Sequence, residues 1–431
     1  MRYDAIVIGG GPAGCAAALT LARAGARVVV LESSPEPTRR FAGEWIHPAG
    51  VAVLRRLGIE LTQVPHAIGR GFVDYPRGTA KPVVTSYPPG ALAWVCEHGT
   101  LVTALRSAAE AHPHTEFFRR ARATAVDGTE VLYLDQDGNR RTVHAPLIVG
   151  ADGKSSLVRR LLGPGPPSTA LSHMAGLLLH DVELPFEGYG HVLLGGPGPV
   201  MIYRVSPRRV RVCIDIPTAH AHQATINAYL AHHYDGLFPL SLRRGLRAAL
   251  EEQTPQWAAN RTSPRTAYGR DGYALVGDAT GFFHPLTASG IALALADAEC
   301  LARAASIGAY ARERARQTRT TELVANGLYG VMSAHGPAAQ IISNSLFDVL
   351  RRNPAERVRA IRLLSGEEQR MRNLWRLYLR VVANAVLGSA HGPGPRDWRR
   401  TAATCADFAA WLRWLAGTTT RRSAGGRHMP K

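Results

Sequence analysis

Residues 3–32 read YDAIVIGGGPAGCAAALTLARAGARVVVLE, and the fold turns on how they are read. Ala5–Ile8 is a short apolar, β-branched run, the pattern of a buried parallel strand. Gly9, Gly11 and Gly14 then fill a G-x-G-x-x-G frame. In such a frame the first glycine makes the tight turn, the second lets a pyrophosphate approach the backbone, and the third lets the helix press on the sheet. The following helix carries Ala16, Ala17, Ala18, Leu19, Leu21 and Ala22 on its packing face, and Gly25 supplies its stop. A second strand over 27–31 ends at Glu32, where a ribose hydroxyl would be gripped. A glycine frame alone is a weak signal, equally at home in an ordinary βαβ turn. Set between a strand and a helix, and followed by its acid, it predicts a dinucleotide site.

At 431 residues with 46% hydrophobic side chains, the chain is long enough for two domains and a helical appendage. No apolar run approaches the length needed to span a bilayer. Met1 leads straight into the first strand, so no signal peptide is expected. Cys15, Cys96, Cys213, Cys300 and Cys405 show no C-x-x-C spacing, which argues against zinc or a disulfide framework and for a reducing cytoplasm. The net charge of +18 comes mainly from arginine. Pairs such as Arg39-Arg40, Arg119-Arg120, Arg351-Arg352 and Arg399-Arg400 are spread along the chain without the basic-aromatic motif of a nucleic-acid module. That excludes nucleic acid as the expected partner. It leaves two readings, compositional bias or a peripheral position at the anionic inner face of the membrane.

Two further stretches return to the nucleotide fold. In APLIVGADGKSSLVRRLLG (145–163), Leu147–Gly150 reads as a buried strand, Asp152-Gly153 as a turn and 155–162 as a helix. Asp152 is thereby a candidate cofactor contact. In GYALVGDATGFFHPLTASGIALALADAECLARA (272–304), a strand over 273–276 delivers Gly277-Asp278, and Pro285 precedes a long helix. Asp278 can accept hydrogen bonds from a ribityl chain. The helix N-terminus after Pro285 offers backbone N–H groups and a positive dipole end to the pyrimidine side of a reduced flavin.

Elsewhere the reading is coarser. The stretch 35–58, PEPTRRFAGEWIHPAGVAVLRRLG, places either cofactor ligands (Arg40, Glu44) or a solvated surface loop before a short helix over 51–57. Residues 68–87 alternate as a hairpin. Residues 101–111 read as a helix, with strands over 116–125 and 130–134 around Asp127-Gly128. The stretch 174–217 is strand-rich, the antiparallel wall of a second domain, and 224–252 reads as a helix. Beyond Ala304 the chain is helical and basic, over 310–328, from Pro337 onward and over 371–387. In the last, Met371, Leu374, Trp375, Tyr378, Val381, Val382 and Ala385 share one face while Arg370, Arg376, Arg380 and Asn384 line another. Such a helix packs on its own domain or lies on a membrane surface. DFAAWLRWL (407–415) has the same ambiguity, and 418–431 is expected to be disordered. The class is therefore α/β. A Rossmann-like domain (1–65, 90–165, 265–310) carries an inserted antiparallel-sheet substrate domain (66–89, 166–264) and a helical C-terminal region (311–417).

The three motifs GGGPAG with Glu32, ADG at 151–153 and GDATGFFHP at 277–285 together resemble the FAD-dependent aromatic hydroxylase superfamily. Within it the chain is similar to the squalene monooxygenase (squalene epoxidase) family. That likeness rests on EPTRRFAGEWIHPAG (36–50), Ser86-Tyr87-Pro88, HAPLIVGADG (144–153), GPGPVMIYRV (196–205) and HPLTASGIALALAD (284–297). It runs to about residue 319 and fades in the helical tail. The resemblance implies FAD contacts at Pro12, Ala13, Glu32, Ser33, Arg40, Ala121, Asp278 and Ile291, and an active-site role for Tyr87. The pyrophosphate loop (Gly9, Gly11, Gly14), Asp152, Pro285 and Gly290 complete the candidate site. Three departures stand out. The glycine run after H-P-L-T is here Ala288-Ser289-Gly290, an arginine at the head of the helix near Leu101 is replaced by Thr100, and the apolar C-terminal membrane helices become shorter and arginine-studded.

The chemistry implied by the resemblance is epoxidation. Reduced FAD and molecular oxygen form a C4a-hydroperoxide, whose distal oxygen goes to an alkene of an isoprenoid or prenylated small molecule, in terpenoid biosynthesis. The cofactor supplies reactivity, and the protein supplies position and a dry cavity. No Ser-His-Asp or Cys-His constellation and no metal frame is evident. His47 and His284 read as hydrogen-bonding structural residues. The chain shows no second glycine frame for a nicotinamide, so electrons from NAD(P)H arrive directly or through a separate flavin or ferredoxin reductase. Ring hydroxylation of an aromatic substrate is the alternative reaction, and a flavin-bearing or flavin-free binding protein the alternative of another class. The absence of a W-x-W-x-I-P stretch argues against halogenation.

Overall fold

The computed structural model describes residues 3–37, 41–60, 65–78, 81–163, 165, 167–221, 226–333 and 337–390. The expected βαβ unit is present as β1 (Ala5–Ile8), α1 (Pro12–Arg23) and β2 (Val28–Glu32). β3 (Trp45–Ile46), α2 (Pro48–Arg56), β4 (Ala67–Gly69), the hairpin β5 (Gly71–Tyr75) and β6 (Val83–Ser86), β7 (Ala93–Val95) and α3 (His98–Ala111) follow. β8 (Thr115–Arg119) precedes the meander β9 (Arg122–Asp127), β10 (Glu130–Leu134) and β11 (Arg140–His144), and then come β12 (Leu147–Gly150) and α4 (Leu157–Leu161). β13 (Thr169–His180), β14 (Tyr189–Leu193), β15 (Val200–Ser206) and β16 (Arg209–Pro217) lead through α5 (Ile226–Tyr234) and α6 (Leu240–Glu252) to β17 (Gln256–Thr262), β18 (Gly269–Arg270) and β19 (Tyr273–Leu275). Five helices close the described chain: α7 (Gly290–Arg303), α8 (Ile307–Ser333), α9 (Pro337–Arg352), α10 (Pro354–Leu364) and α11 (Met371–Ala390).

The strands form a six-stranded sheet ordered β18-β19-β12-β1-β2-β8, parallel except at β18–β19. Its inner strands are buried on both faces, which is why β1, β2 and β12 read as near-continuous apolar runs. α1 packs against α3 and α7 on one face, and the alanines of α1 let those helices approach. The second large sheet has seven strands, β17-β13-β16-β15-β14-β5-β6. It is antiparallel except where β14 runs parallel to β5, so the 68–87 hairpin extends the wall formed by 174–217.

Several expectations are corrected. The strand read over 116–125 is two strands in two sheets, because Arg120 at φ 55° breaks the run. The helix read over 224–252 is two helices, since Pro239 lacks the N–H to continue α5 and instead leads into α6. Pro285 precedes the long helix, but not directly. Pro285–Thr287 is a separate 3-10 turn, Ala288 sits at φ 52°, and α7 starts at Gly290. The small sheet β3-β7-β4 and the helix α10, capped by Asn353 accepting from Ala355 and Glu356 N–H, were not foreseen. The expectations for 407–415 and 418–431 lie outside the described residues.

Candidate active site

The cradle for a dinucleotide is built from the β1–α1 turn. Gly9 takes φ 107°, and a side chain there would meet the Ala151 carbonyl oxygen at 2.6 Å. At Gly14 a Cβ would run into the Gly9 carbonyl, whereas at Gly11 nothing lies within 4 Å. The first and third glycines thus serve packing, and the second faces open space where a pyrophosphate would come. Pro12 stands at the start of α1, whose N-terminus has no side-chain cap, and Ala13 is buried behind it. α7 also begins uncapped, at Gly290 and the buried Ile291. Two helix N-termini with free first-turn N–H groups are what an anionic cofactor requires.

Glu32 is buried and held on three sides. Gly10 N–H donates to its Oε2 and Ser34 N–H to its Oε1, each at 2.6 Å, while the Arg106 guanidinium lies 3.2 Å from Oε2. Arg106 also donates to the Gly10 carbonyl at 2.9 Å. Arg106 is the site residue that sequence reasoning missed. Its signal was an arginine inside the apolar stripe Leu101, Val102, Leu105, Ala109 of α3. Ser33 is exposed beside Glu32, and the Ala121 N–H donates to the Glu32 carbonyl at 2.8 Å, at the rim of a polar groove lined by Phe117, Phe118 and Tyr133.

Asp152 uses Oδ2 to accept from Leu157 N–H at 2.6 Å, and its buried Oδ1 has no partner among the described residues. That orphaned oxygen, the open Gly11 and the uncapped helices fit a dinucleotide cofactor. Asp278 is partly buried, and loss of hydration pushes its carboxyl above the usual range against the opposing pull of Lys154, Arg265 and Arg159. Behind it, fully buried Asp297 pairs with Arg265 (2.6 Å) and Arg314 (2.7 Å) and accepts from Gly277 N–H at 2.9 Å, which fixes the loop carrying Asp278. Pro285 is exposed. Arg40 lies outside the described residues.

Tyr87 sits in a buried, fully partnered cluster. Trp45 Nε1–H donates to its hydroxyl at 3.0 Å, and the hydroxyl donates to His47 Nδ1 at 2.6 Å. His47 Nε2 lies 2.8 Å from the Thr287 carbonyl, which can only accept, so Nε2 carries the proton. Burial lowers the His47 pKa to about 4 and raises that of Tyr87, so both are neutral at physiological pH. His284 is equally buried. Leu286 N–H donates to its Nδ1, and its Nε2 donates to Asp215 at 3.1 Å, inside a network with Ser172, Asn260 and Tyr329. Both histidines are hydrogen-bonded as expected. Glu44 is neither a surface residue nor a free carboxylate: it pairs at 2.7 Å with the buried Arg211 and accepts from Tyr203 at 3.1 Å.

A cavity of about 350 Å³ adjoins this cluster through Phe72 and Leu286. The Phe72 ring centroid lies 6.5 Å from Tyr87 and 6.1 Å from His47. The antiparallel wall over 174–217 contributes little to the cavity lining. Val192 alone comes from that stretch, and most of the surface comes from α8 to α11, including Leu323, Leu346, Leu374 and Val381. The inner face of α11 therefore packs on the protein, with Val381 and Ala385 buried. Trp375, Leu379 and Leu387 remain 40%, 62% and 58% exposed on its outside. No helix among the described residues is long and apolar enough to cross a membrane, and none of their His, Cys, Asp or Glu clusters could hold a metal ion.

A Rossmann-type sheet, its glycine cradle and the second sheet define the class of FAD-dependent oxidoreductases, and the family model of that description matches residues 4–65. The fold is shared with a flavoprotein/dehydrogenase from Cytophaga hutchinsonii at TM-score 0.74 and 17% identity, covering 89% of this chain and 99% of that one. More narrowly, this chain belongs to the squalene epoxidase family, whose model matches residues 144–392. Squalene epoxidase 3 of Arabidopsis thaliana is 30% identical over 309 residues, 68% of this chain but 58% of that protein's length. Squalene epoxidase erg1 of Aspergillus fumigatus is 28% identical over 380 residues, 80% of this chain and 78% of its own.

Proposed function

We propose that this chain is a FAD-dependent monooxygenase that adds one atom of molecular oxygen to an alkene of a lipophilic isoprenoid or prenylated small molecule. The observation that carries the reading is the apolar cavity, which ends at Phe72 and Leu286 against the Tyr87–His47 cluster. In this reading the N–H groups of Gly11 and Ala13 receive the pyrophosphate, and Pro12 opens α1 beside it. Glu32, with Ser33 and Ala121 beside it, takes the adenosine ribose, and Asp152 Oδ1 and Asp278 take the ribityl side. Gly290 and Ile291 present the α7 N-terminus to the flavin ring, with Pro285 shaping the turn before it, and Arg40 adds a charge. When bound and reduced, FAD supplies the activation of oxygen. The residues do the rest: the α8–α11 lining excludes water, and neutral His47 holds the Tyr87 hydroxyl in place. Electrons come from NAD(P)H, directly or through a separate flavin or ferredoxin reductase.

Peripheral membrane contact belongs to the same proposal. Trp375, Leu379 and Leu387 alternate with exposed Arg372, Arg376 and Arg380 on α11, the composition of an interfacial surface. Binding to anionic vesicles should weaken in salt and on reversing Arg376 and Arg380, by on the order of 1 kcal/mol per charge. Ring hydroxylation is kept as a second reading by one observation, the carboxyl of Asp74 among the cavity residues, which could take a phenolic proton. The test is incubation of the reduced, FAD-loaded protein with oxygen and a panel of prenylated alkenes and prenylated phenols, read by mass. Products that gain one oxygen and lose one double bond support the proposal. Flavin reoxidation with no oxygenated product across the panel contradicts it.

A further inference from the structure

Two buried polar groups of the cavity lining have no partner among the described residues, and a hydrocarbon would leave them unused. In the β5–β6 hairpin Phe72 lies opposite Thr85, and Asp74 opposite Val83. Side chains alternate along a strand, so Phe72, Asp74, Val83 and Thr85 share one face. Of these, Phe72, Asp74 and Thr85 line the cavity. Asp74 is only 8% exposed, and among the described residues its carboxylate has neither a hydrogen-bond donor nor an ion-pair partner. The Thr85 hydroxyl is buried and likewise unpartnered. Loss of hydration, with no cation offsetting it, pushes the Asp74 carboxyl up to about 7. Arg319, the cation at this cavity, is exposed on α8.

Burying a carboxyl and a hydroxyl unpaired is costly, and an apolar side chain at either position would remove the cost. Apart from Asp152 and Asp278 in the cofactor cradle, the buried carboxylates described above are satisfied: Glu44 by Arg211, Asp297 by Arg265 and Arg314, and Asp215 by His284. The exception therefore stands out, and it faces the space a substrate would fill. An acceptor and a hydroxyl donor on neighbouring strands match a group that both donates and accepts. That group is a hydroxyl. An ammonium head could donate to both groups but, having no acceptor, would leave the Thr85 proton unused.

We propose that Asp74 and Thr85 bind the hydroxyl head of an otherwise apolar isoprenoid-type substrate, and so select which double bond is presented at the Tyr87 end of the cavity. This rests on the reading that the cavity is the lipophilic-substrate site. Asp74 lies two residues beyond Phe72 on the same strand face, about 7 Å along β5. A head anchored there keeps the first carbons of the chain away from Tyr87 and delivers a more distant alkene.

The test is equilibrium binding to the full-length oxidised holoprotein, followed by tryptophan and flavin fluorescence, with farnesol, farnesene and farnesylamine as probes. Farnesol should bind about 10- to 100-fold more tightly than farnesene, the range for a hydrogen bond to a charged or polar buried partner. Asp74→Leu should bring farnesol to the level of farnesene without weakening farnesene. Thr85→Val should remove part of the preference. Asp74→Asn, which keeps the shape and an acceptor, should retain a reduced preference, and it serves if the leucine variant fails to fold. Equal binding of farnesol and farnesene overturns the head-group assignment alone, and farnesylamine binding tightest overturns the choice of a hydroxyl. If none of the three binds, the cavity is not the lipophilic site and the functional reading fails with it.

Discussion

In the cofactor cradle Glu32 and Asp297 are tied to other groups of the protein, whereas in the neighbouring cavity the buried Asp74 and Thr85 have no partner among the described residues. Glu32 has two backbone donors and Arg106, and Asp297 has two arginines and the Gly277 N–H. Among the described residues Asp74 and Thr85 have no such partners, and the surface around them is mostly apolar. The contrast separates two kinds of site. A cradle for a resident group must hold its loops in place before that group arrives, so its polar atoms satisfy one another and leave only a few, such as Asp152 Oδ1, for the ligand. A site for a transient lipophilic molecule leaves its recognition groups open for the molecule to satisfy.

The largest effect should come from breaking the cradle. Arg106→Met leaves Glu32 buried without its cation and is expected to cost roughly 3–5 kcal/mol of stability, measured by chemical denaturation, with loss of flavin from the purified protein. Asp278→Ala, which removes a carboxylate from the loop without breaking an ion pair, should release flavin while leaving apo stability closer to the parent. Retention of stoichiometric FAD in that variant would remove Asp278 from the site.

Titration should also distinguish the buried groups. His47 is lowered from 6.5 to about 4, so the folded protein binds fewer protons than the unfolded chain in that window. Its contribution to stability is complete above pH 6.5 and is lost as pH falls toward 4. Asp74 is raised from 3.8 to about 7, so its contribution is complete below pH 3.8 and is lost as pH rises through 7. The two slopes oppose each other. Asp74→Asn should therefore gain stability relative to the parent from pH 4 to 7, and His47→Gln should gain relative to the parent as pH falls from 6.5 to 4. Each gain should be on the order of 3 kcal/mol at most. Parallel stability–pH curves for parent and variants would show that neither group is held as described.

Smaller effects separate the regions further. Leu374→Ala, which enlarges the cavity, should shift preference between substrate chain lengths by about 1–3 kcal/mol in kcat/KM while leaving flavin content unchanged. Ala288 occupies a left-handed conformation at φ 52° that glycine adopts without strain. Ala288→Gly should therefore stabilise the protein by about 1 kcal/mol, read as a rise in Tm.

The cradle was legible in the sequence because each requirement is local. A glycine must occupy the turn at 9, a second must clear the approach at 11, and the acid must close the next strand at 32. The three motifs that meet there are each continuous. Arg106 escaped because its partners, Gly10 and Glu32, are distant in sequence and α3 carries no motif. The cavity escaped more completely. Its lining joins β5, β6, the H-P-L-T turn and four helices, and no single stretch carries its pattern. Asp74 reads as one polar residue in an alternating hairpin, and only the packing of α8 to α11 over that face turns it into a buried, unpaired carboxyl. Helix α10 was missed for a simpler reason: its signal is the cap Asn353 ahead of Pro354, in a stretch where arginines interrupt the apolar period.

The most direct measurement of the central claim follows the oxygen. The FAD-loaded protein, supplied with reductant and isotopically labelled molecular oxygen, is given a prenylated phenol that offers both an alkene and an aromatic ring. The account predicts a product with one labelled atom bridging the former double bond and the ring unchanged. A labelled atom on an aromatic carbon, with the double bond intact, would contradict it.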